Sequence, residues 1–90
     1  MKYQIGRRVR VRLNTLRVEG HPQPGAVGKV VGIGERGAVA VEFCVPFRKG
    51  HGCDGKAAEG HGRYFYPHLN LGSTSTLSDL ELIPELKEKD

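Results

Sequence analysis

Ala26-Val27-Gly28-Lys29-Val30-Val31-Gly32-Ile33-Gly34-Glu35-Arg36-Gly37-Ala38-Val39-Ala40-Val41-Glu42-Phe43-Cys44-Val45 is the stretch that decides the fold. Residues 26–33 are apolar and β-branched around two glycines, and residues 38–45 place Val39, Val41 and Phe43 on one face of an alternating run. Gly34-Glu35-Arg36-Gly37 between them reads as a tight turn, so the segment predicts an antiparallel hairpin. Pro46 ends it, because proline cannot donate to a ladder.

Upstream, Arg8-Val9-Arg10-Val11-Arg12-Leu13 alternates strictly. That period predicts a half-buried strand with Val9, Val11 and Leu13 inward and Arg8, Arg10 and Arg12 outward. His21-Pro22-Gln23-Pro24-Gly25 reads as a loop. Downstream, residues 50–62 form a long glycine-rich loop, and Arg63-Tyr64-Phe65-Tyr66 reads as a fourth strand with Phe65 opposite the two tyrosines. A second loop covers residues 70–78, and Ser78-Asp79-Leu80-Glu81-Leu82-Ile83-Pro84 predicts a turn followed by a short closing strand. The expected core is Val9, Val11, Val31, Val39, Val41 and Phe43. The expectation is therefore an all-β domain of about five strands over residues 1–84, with a charged tail at 85–90.

Ninety residues make one domain with a modest core. No apolar run approaches the roughly 18 residues that would span a bilayer. The start, Met1-Lys2-Tyr3-Gln4-Ile5-Gly6-Arg7-Arg8, has no apolar signal region, so a cytoplasmic protein with Cys44 and Cys53 as thiols is expected. The formal net charge is +4, unevenly spread: residues 1–63 carry 12 Lys/Arg against 5 Asp/Glu, and residues 64–90 carry 2 against 5. A basic body points to an acidic or polyanionic partner.

Entry strand, long loop, central hairpin, aromatic strand and terminal closure together resemble an SH3-like barrel over residues 5–84. Pro24-Gly25-Ala26-Val27-Gly28-Lys29-Val30-Val31-Gly32-Ile33 is similar to the glycine-bearing strand of KOW-type modules, a resemblance that implies RNA or protein binding through loops. Asp54-Gly55 and Gly62-Arg63-Tyr64-Phe65 resemble, in order, the groove motif of CAP-Gly domains, which implies a groove for acidic peptide tails. Gly52-Cys53 stands where that motif has Lys-Asn, and the family's groove tryptophan is absent. The Cys-Asp-Gly and Gly-His-Gly-aromatic text also looks like short SH3-like proteins of phages and other mobile elements.

Three chemistries suit the remaining residues. The arginine stripe, Arg8, Arg10 and Arg12, offers guanidinium forks to phosphates or carboxylates. Arg48, Lys49, His51, Asp54, His61, Arg63, Tyr64 and Tyr66 surround the glycine-rich segment and form the rest of the expected partner surface, with the tyrosines able to stack on bases. His51, Cys53, His61 and His68 carry ligand types that suit zinc, but there is no Cys-x-x-Cys and no His-x₃₋₅-His pair. Cys53 with His51 or His61 supplies the residue types of a thiol nucleophile and its base, but the sequence shows no arrangement that orients them, and no phosphate-binding P-loop motif is present. The expectation is a non-enzymatic module without cofactor or membrane contact. It engages a partner protein, as an inhibitor or adaptor of a host machine, through a basic face and the 46–68 loop. A nucleic-acid-binding barrel and a small zinc protein are the alternatives.

Overall fold

The computed structural model describes residues 3–15, 17, 19–34, 37–67 and 77–83. Five strands form: β1 (Arg8–Val11), β2 (Val27–Ile33), β3 (Val39–Phe43), β4 (Gly62–Phe65) and β5 (Leu80–Leu82). Single 3-10 turns lie at Cys53–Gly55 and Leu77–Asp79. All neighbours are antiparallel, in the order β4-β3-β2-β1-β5, so β1 to β4 run as a meander and the last strand returns beside the first. No ladder joins β4 to β5 among the described residues, and the sheet is open. Among the described residues no helix is long and apolar enough to cross a membrane.

The expected hairpin is β2–β3, with Val30 opposite Val41 and Ile33 opposite Val39. Gly34 donates its amide to the Ala38 carbonyl at 2.7 Å and closes the turn. Between Val30 and Gly32 the register shifts by a bulge. Burial still alternates along the whole strand: Gly28, Val30 and Gly32 are inside, and Val31 is half-buried on the other face. Val31 as a core residue is thus corrected to Val30: the inward face of β2 is Gly28, Val30 and Gly32, and its two glycines leave that face with little apolar text to read.

β1 is shorter than its alternation implied. It ends at Val11, and Thr15 donates its amide to the Arg12 carbonyl as the chain turns. Leu13, expected inside, is 70% exposed for that reason. β3 likewise stops at Phe43 and leaves Cys44 and Val45 exposed.

Val9, Val11, Val30, Val39, Val41 and Phe43 make one cluster. Both edge strands contribute to it, β4 through Phe65 and β5 through Leu80, and Tyr3 joins from the N-terminal segment. The Tyr3 hydroxyl lies 3.4 Å from the Leu77 and Leu80 carbonyls. Burial pushes the Tyr3 pKa up, and Arg12 pulls it partly back. The boundary between domain and tail, the 85–90 tail itself and His68 lie outside the described residues.

Candidate functional site

The glycine-rich segment does not leave the body of the protein; it folds back onto β4. His51 and Gly62 form a bridge, with amide-to-carbonyl distances of 3.0 and 2.7 Å. The Phe47 amide reaches the Gly60 carbonyl at 3.1 Å, and the Ala58 amide donates to Glu42 Oε2 at 2.8 Å. Glycine is required where the segment touches the sheet. A Cβ on Gly62 would stand 2.7 Å from the His51 carbonyl oxygen and 2.8 Å from Cys53 Sγ. A Cβ on Gly50 would stand 2.1 Å from the Gly60 carbonyl oxygen.

At the tip, Cys53 and Asp54 take left-handed φ of 50° and 57°, and Gly55 follows at 93°. Such a conformation is costly for non-glycine residues and persists where neighbours over-determine it. The neighbours here are specific. His51 Nδ1 accepts the Cys53 amide at 3.0 Å, and the Tyr64 hydroxyl donates to Asp54 Oδ2 at 2.8 Å. Because His51 Nδ1 accepts, its proton sits on Nε2. The bond to Asp54 holds Tyr64 in its phenol form, with a pKa pushed up to about 12. The His51 and Tyr64 rings lie 5.9 Å apart and the Tyr64 and Tyr66 rings 6.4 Å apart, so three rings succeed one another across the outer surface of β4.

Cys53 is fully buried beneath this tip, and burial, with Asp54 beside it, pushes its thiol pKa up to about 11. A thiol in that state is a packed group rather than a nucleophile. Cys44, at the end of β3, is exposed, and both cysteines are free. His61 points elsewhere: its Nδ1 lies 2.9 Å from the Phe43 carbonyl, which only accepts, so Nδ1 carries the proton. His51, Cys53 and His61 therefore do not converge, and among the described residues no group of three or more His, Cys, Asp or Glu is arranged to hold a metal ion.

Arg63 faces the side of β4 opposite Tyr64. Its guanidinium lies 3.3 Å from His21 Nε2 and donates to it. Burial lowers the His21 pKa, and Arg63 and Lys49 lower it further, so the imidazole that accepts this bond is neutral. Lys49 donates its amide to the Gly20 carbonyl at 2.9 Å, and Arg48 Nη1 pairs with Glu19 Oε2 at 3.0 Å on an exposed rim. Between these two chain segments lies a groove of about 540 Å³. Pro22, Ala26, Val27, Phe43, Val45 and Phe47 form much of its lining.

The expected partner surface thus divides into three regions. Arg8, Arg10 and Arg12 lie on or just beyond β1. Two of them are engaged by β5: Arg10 Nε donates to Glu81 Oε2 at 2.6 Å, and Arg12 Nη1 lies 3.5 Å from Glu81 Oε1. His51, Asp54, Tyr64 and Tyr66 meet on the outer surface of β4. Arg48, Lys49 and Arg63 stand around the groove, and His61 braces its floor through Phe43. The apolar groove residues went unread in the sequence. The local signal for one wall was Val45-Pro46-Phe47, an apolar run whose proline cannot donate to a ladder. Compared with protein-family models, with curated proteins and with solved structures, the chain matches none.

Proposed function

We propose that this chain is a non-enzymatic binding module, a small SH3-like barrel that engages a partner protein through the 46–68 segment and the basic residues beside it. The single observation that carries the reading is the folding of the glycine-rich segment onto β3 and β4, by the His51–Gly62 bridge and the Ala58–Glu42 bond. A surface fixed before binding loses little conformational entropy on association. The strand order supports the barrel, since β5 returns to β1 and residues from both edge strands share one core. The charge of the body favours a partner with acidic character. A role as inhibitor or adaptor of a host machine, inside a cell, fits a module of this size.

The second reading is binding of single-stranded nucleic acid, favoured by the His51–Tyr64–Tyr66 ring succession, since rings spaced along a strand can stack on bases. Engagement of Arg10 and Arg12 by Glu81 weighs against it, because that one carboxylate already neutralises part of the stripe.

Affinity capture from the source cell with nuclease treatment separates the two. One protein held in stoichiometric amount after nuclease supports the first reading. Loss of all bound material after nuclease supports the second.

A further inference from the structure

We propose that the groove between the 19–26 segment and the 43–48 segment seats one extended stretch of the partner, an apolar side chain held between Val27, Phe43 and Phe47 with carboxylates alongside it facing Arg48, Lys49 and His21. The inference rests on the protein-binding reading and gives it a place and a ligand chemistry.

The apolar half follows from the lining. β3 stops at Phe43, yet the chain stays apolar through Cys44, Val45 and Phe47. Val45 is left 71% exposed on the wall of a groove in which Pro22, Ala26, Val27 and Phe47 are half-buried, over a floor that includes the buried Phe43. Contiguous apolar surface in a concave site marks a place where a ligand completes the burial.

The groove is also built rather than incidental. Phe43 and Phe47 meet edge to face at a centroid distance of 5.7 Å. The Lys49–Gly20 backbone bond ties one wall to the other, and the Phe47–Gly60 bond and the His61–Phe43 contact fix the floor from behind. A preformed site of this kind avoids the ordering cost that weakens flexible ones.

The acidic half follows from charge complementarity. Arg48 and Glu19 are the charged residues of the lining, and they form an exposed pair. Lys49 stands at the Gly20 end, where its side chain covers that glycine, and Arg63 reaches His21 from β4. Arg48 and Glu19 balance within the lining, and the positive charge beyond that pair comes from Lys49 and Arg63 beside His21. His21 lines the groove with Arg63 3.3 Å from its Nε2; burial first, and then the charges of Arg63 and Lys49, lower its pKa. A partner carboxylate placed there offsets those charges, whereas a basic partner adds to them.

The test is an amide-resolved titration of the isotope-labelled full chain with synthetic probes. One peptide carries Phe-Leu flanked by Asp and Glu; a second has Lys flanks; a third has Ser at the two anchors; the fourth probe is an oligothymidylate. The first peptide is expected to shift the amides of Gly20, His21, Val27, Val45 and Phe47, and the Lys-flanked and Ser-anchored peptides to bind at least about tenfold more weakly. Val45→Glu, at an exposed position, is expected to remove this binding while the amide spectrum keeps its dispersion. Unmoved groove amides with the first peptide overturn the groove assignment. If the shifts fall instead on His51, Tyr64 and Tyr66, the groove fails but protein binding stands. Equal binding of the Lys-flanked peptide overturns the acidic half. Groove shifts with oligothymidylate alone overturn both the groove's occupant and the protein-binding reading.

Discussion

The Arg63 guanidinium donates to His21 Nε2 across 3.3 Å, joining β4 to the loop that precedes β2. The geometry holds only for a neutral imidazole, since a protonated Nε2 has no lone pair and would face two cations, Arg63 and Lys49. Burial of His21 acts in the same direction.

Stability is therefore expected to depend on His21 in mildly acidic solution. Its folded pKa lies below the unfolded value of 6.5, so the unfolded chain takes up the proton first. Stability present above pH 6.5 is lost as pH falls through that value toward the folded pKa. His21→Gln keeps an acceptor for Arg63 and removes the titration. Melting temperature against pH is expected to fall less steeply below 6.5 in the variant than in the wild type; parallel curves would show that His21 is not linked to folding.

The core makes a second prediction. Phe65 is 2% exposed, lies opposite Val39 and stands 6.1 Å, ring to ring, from Phe43. Phe65→Ala is expected to cost about 3–5 kcal/mol by loss of transfer energy and an unfilled cavity. Val41→Asp, which buries a charge in the same cluster, is expected to prevent folding. Urea denaturation checks both, and a Phe65→Ala midpoint equal to that of wild type would contradict the core assignment.

Cysteine reactivity reports on the folded loop. Cys44 is exposed, whereas Cys53 is buried with its pKa at about 11. A thiol reagent at mildly alkaline pH is expected to modify one cysteine rapidly and the other slowly. Gly62→Val drives a side chain against the His51 carbonyl and Cys53 Sγ, and both thiols should then react rapidly. Two fast thiols in the wild type would mean that the segment is not held on β4.

The Tyr64–Asp54 bond gives a further titration. Tyr64 is expected to ionise near pH 12, with Asp54→Asn bringing it back toward 10. Because the folded pKa is the higher one, the bond's contribution is intact below pH 10 and lost as pH rises from 10 to 12. Ultraviolet titration of the variant should show one phenol moving down; unchanged phenol titration would remove the bond.

Much of the fold was legible because period-2 alternation is a strong signal where one face is buried: Val9, Val11, Val39, Val41 and Phe43 all lie inside as read. Val31 misled because two of the inward positions of β2 are glycines, Gly28 and Gly32, which hide that face, and Leu13 misled because β1 ends at Val11 and the chain turns between Arg12 and Thr15. The site was legible only in part. The glycine-rich text marked a segment that packs on β4, but glycine density alone does not distinguish an open loop from close backbone approach, which is what Gly50 and Gly62 provide. Neither the engagement of Arg10 and Arg12 by Glu81 nor the groove can be read locally, since each joins residues far apart in the chain.

The most direct measurement is nuclease-treated affinity capture from the source cell with the wild type beside an Arg48→Glu/Lys49→Glu variant of unchanged melting temperature, both positions being exposed, the bound material quantified by mass spectrometry. A prefolded protein-binding surface on the 46–68 segment predicts one stoichiometric protein on the wild type and its loss, or a drop of about tenfold or more, on the variant. Equal retention by both proteins, or disappearance of all bound material with nuclease, would contradict it.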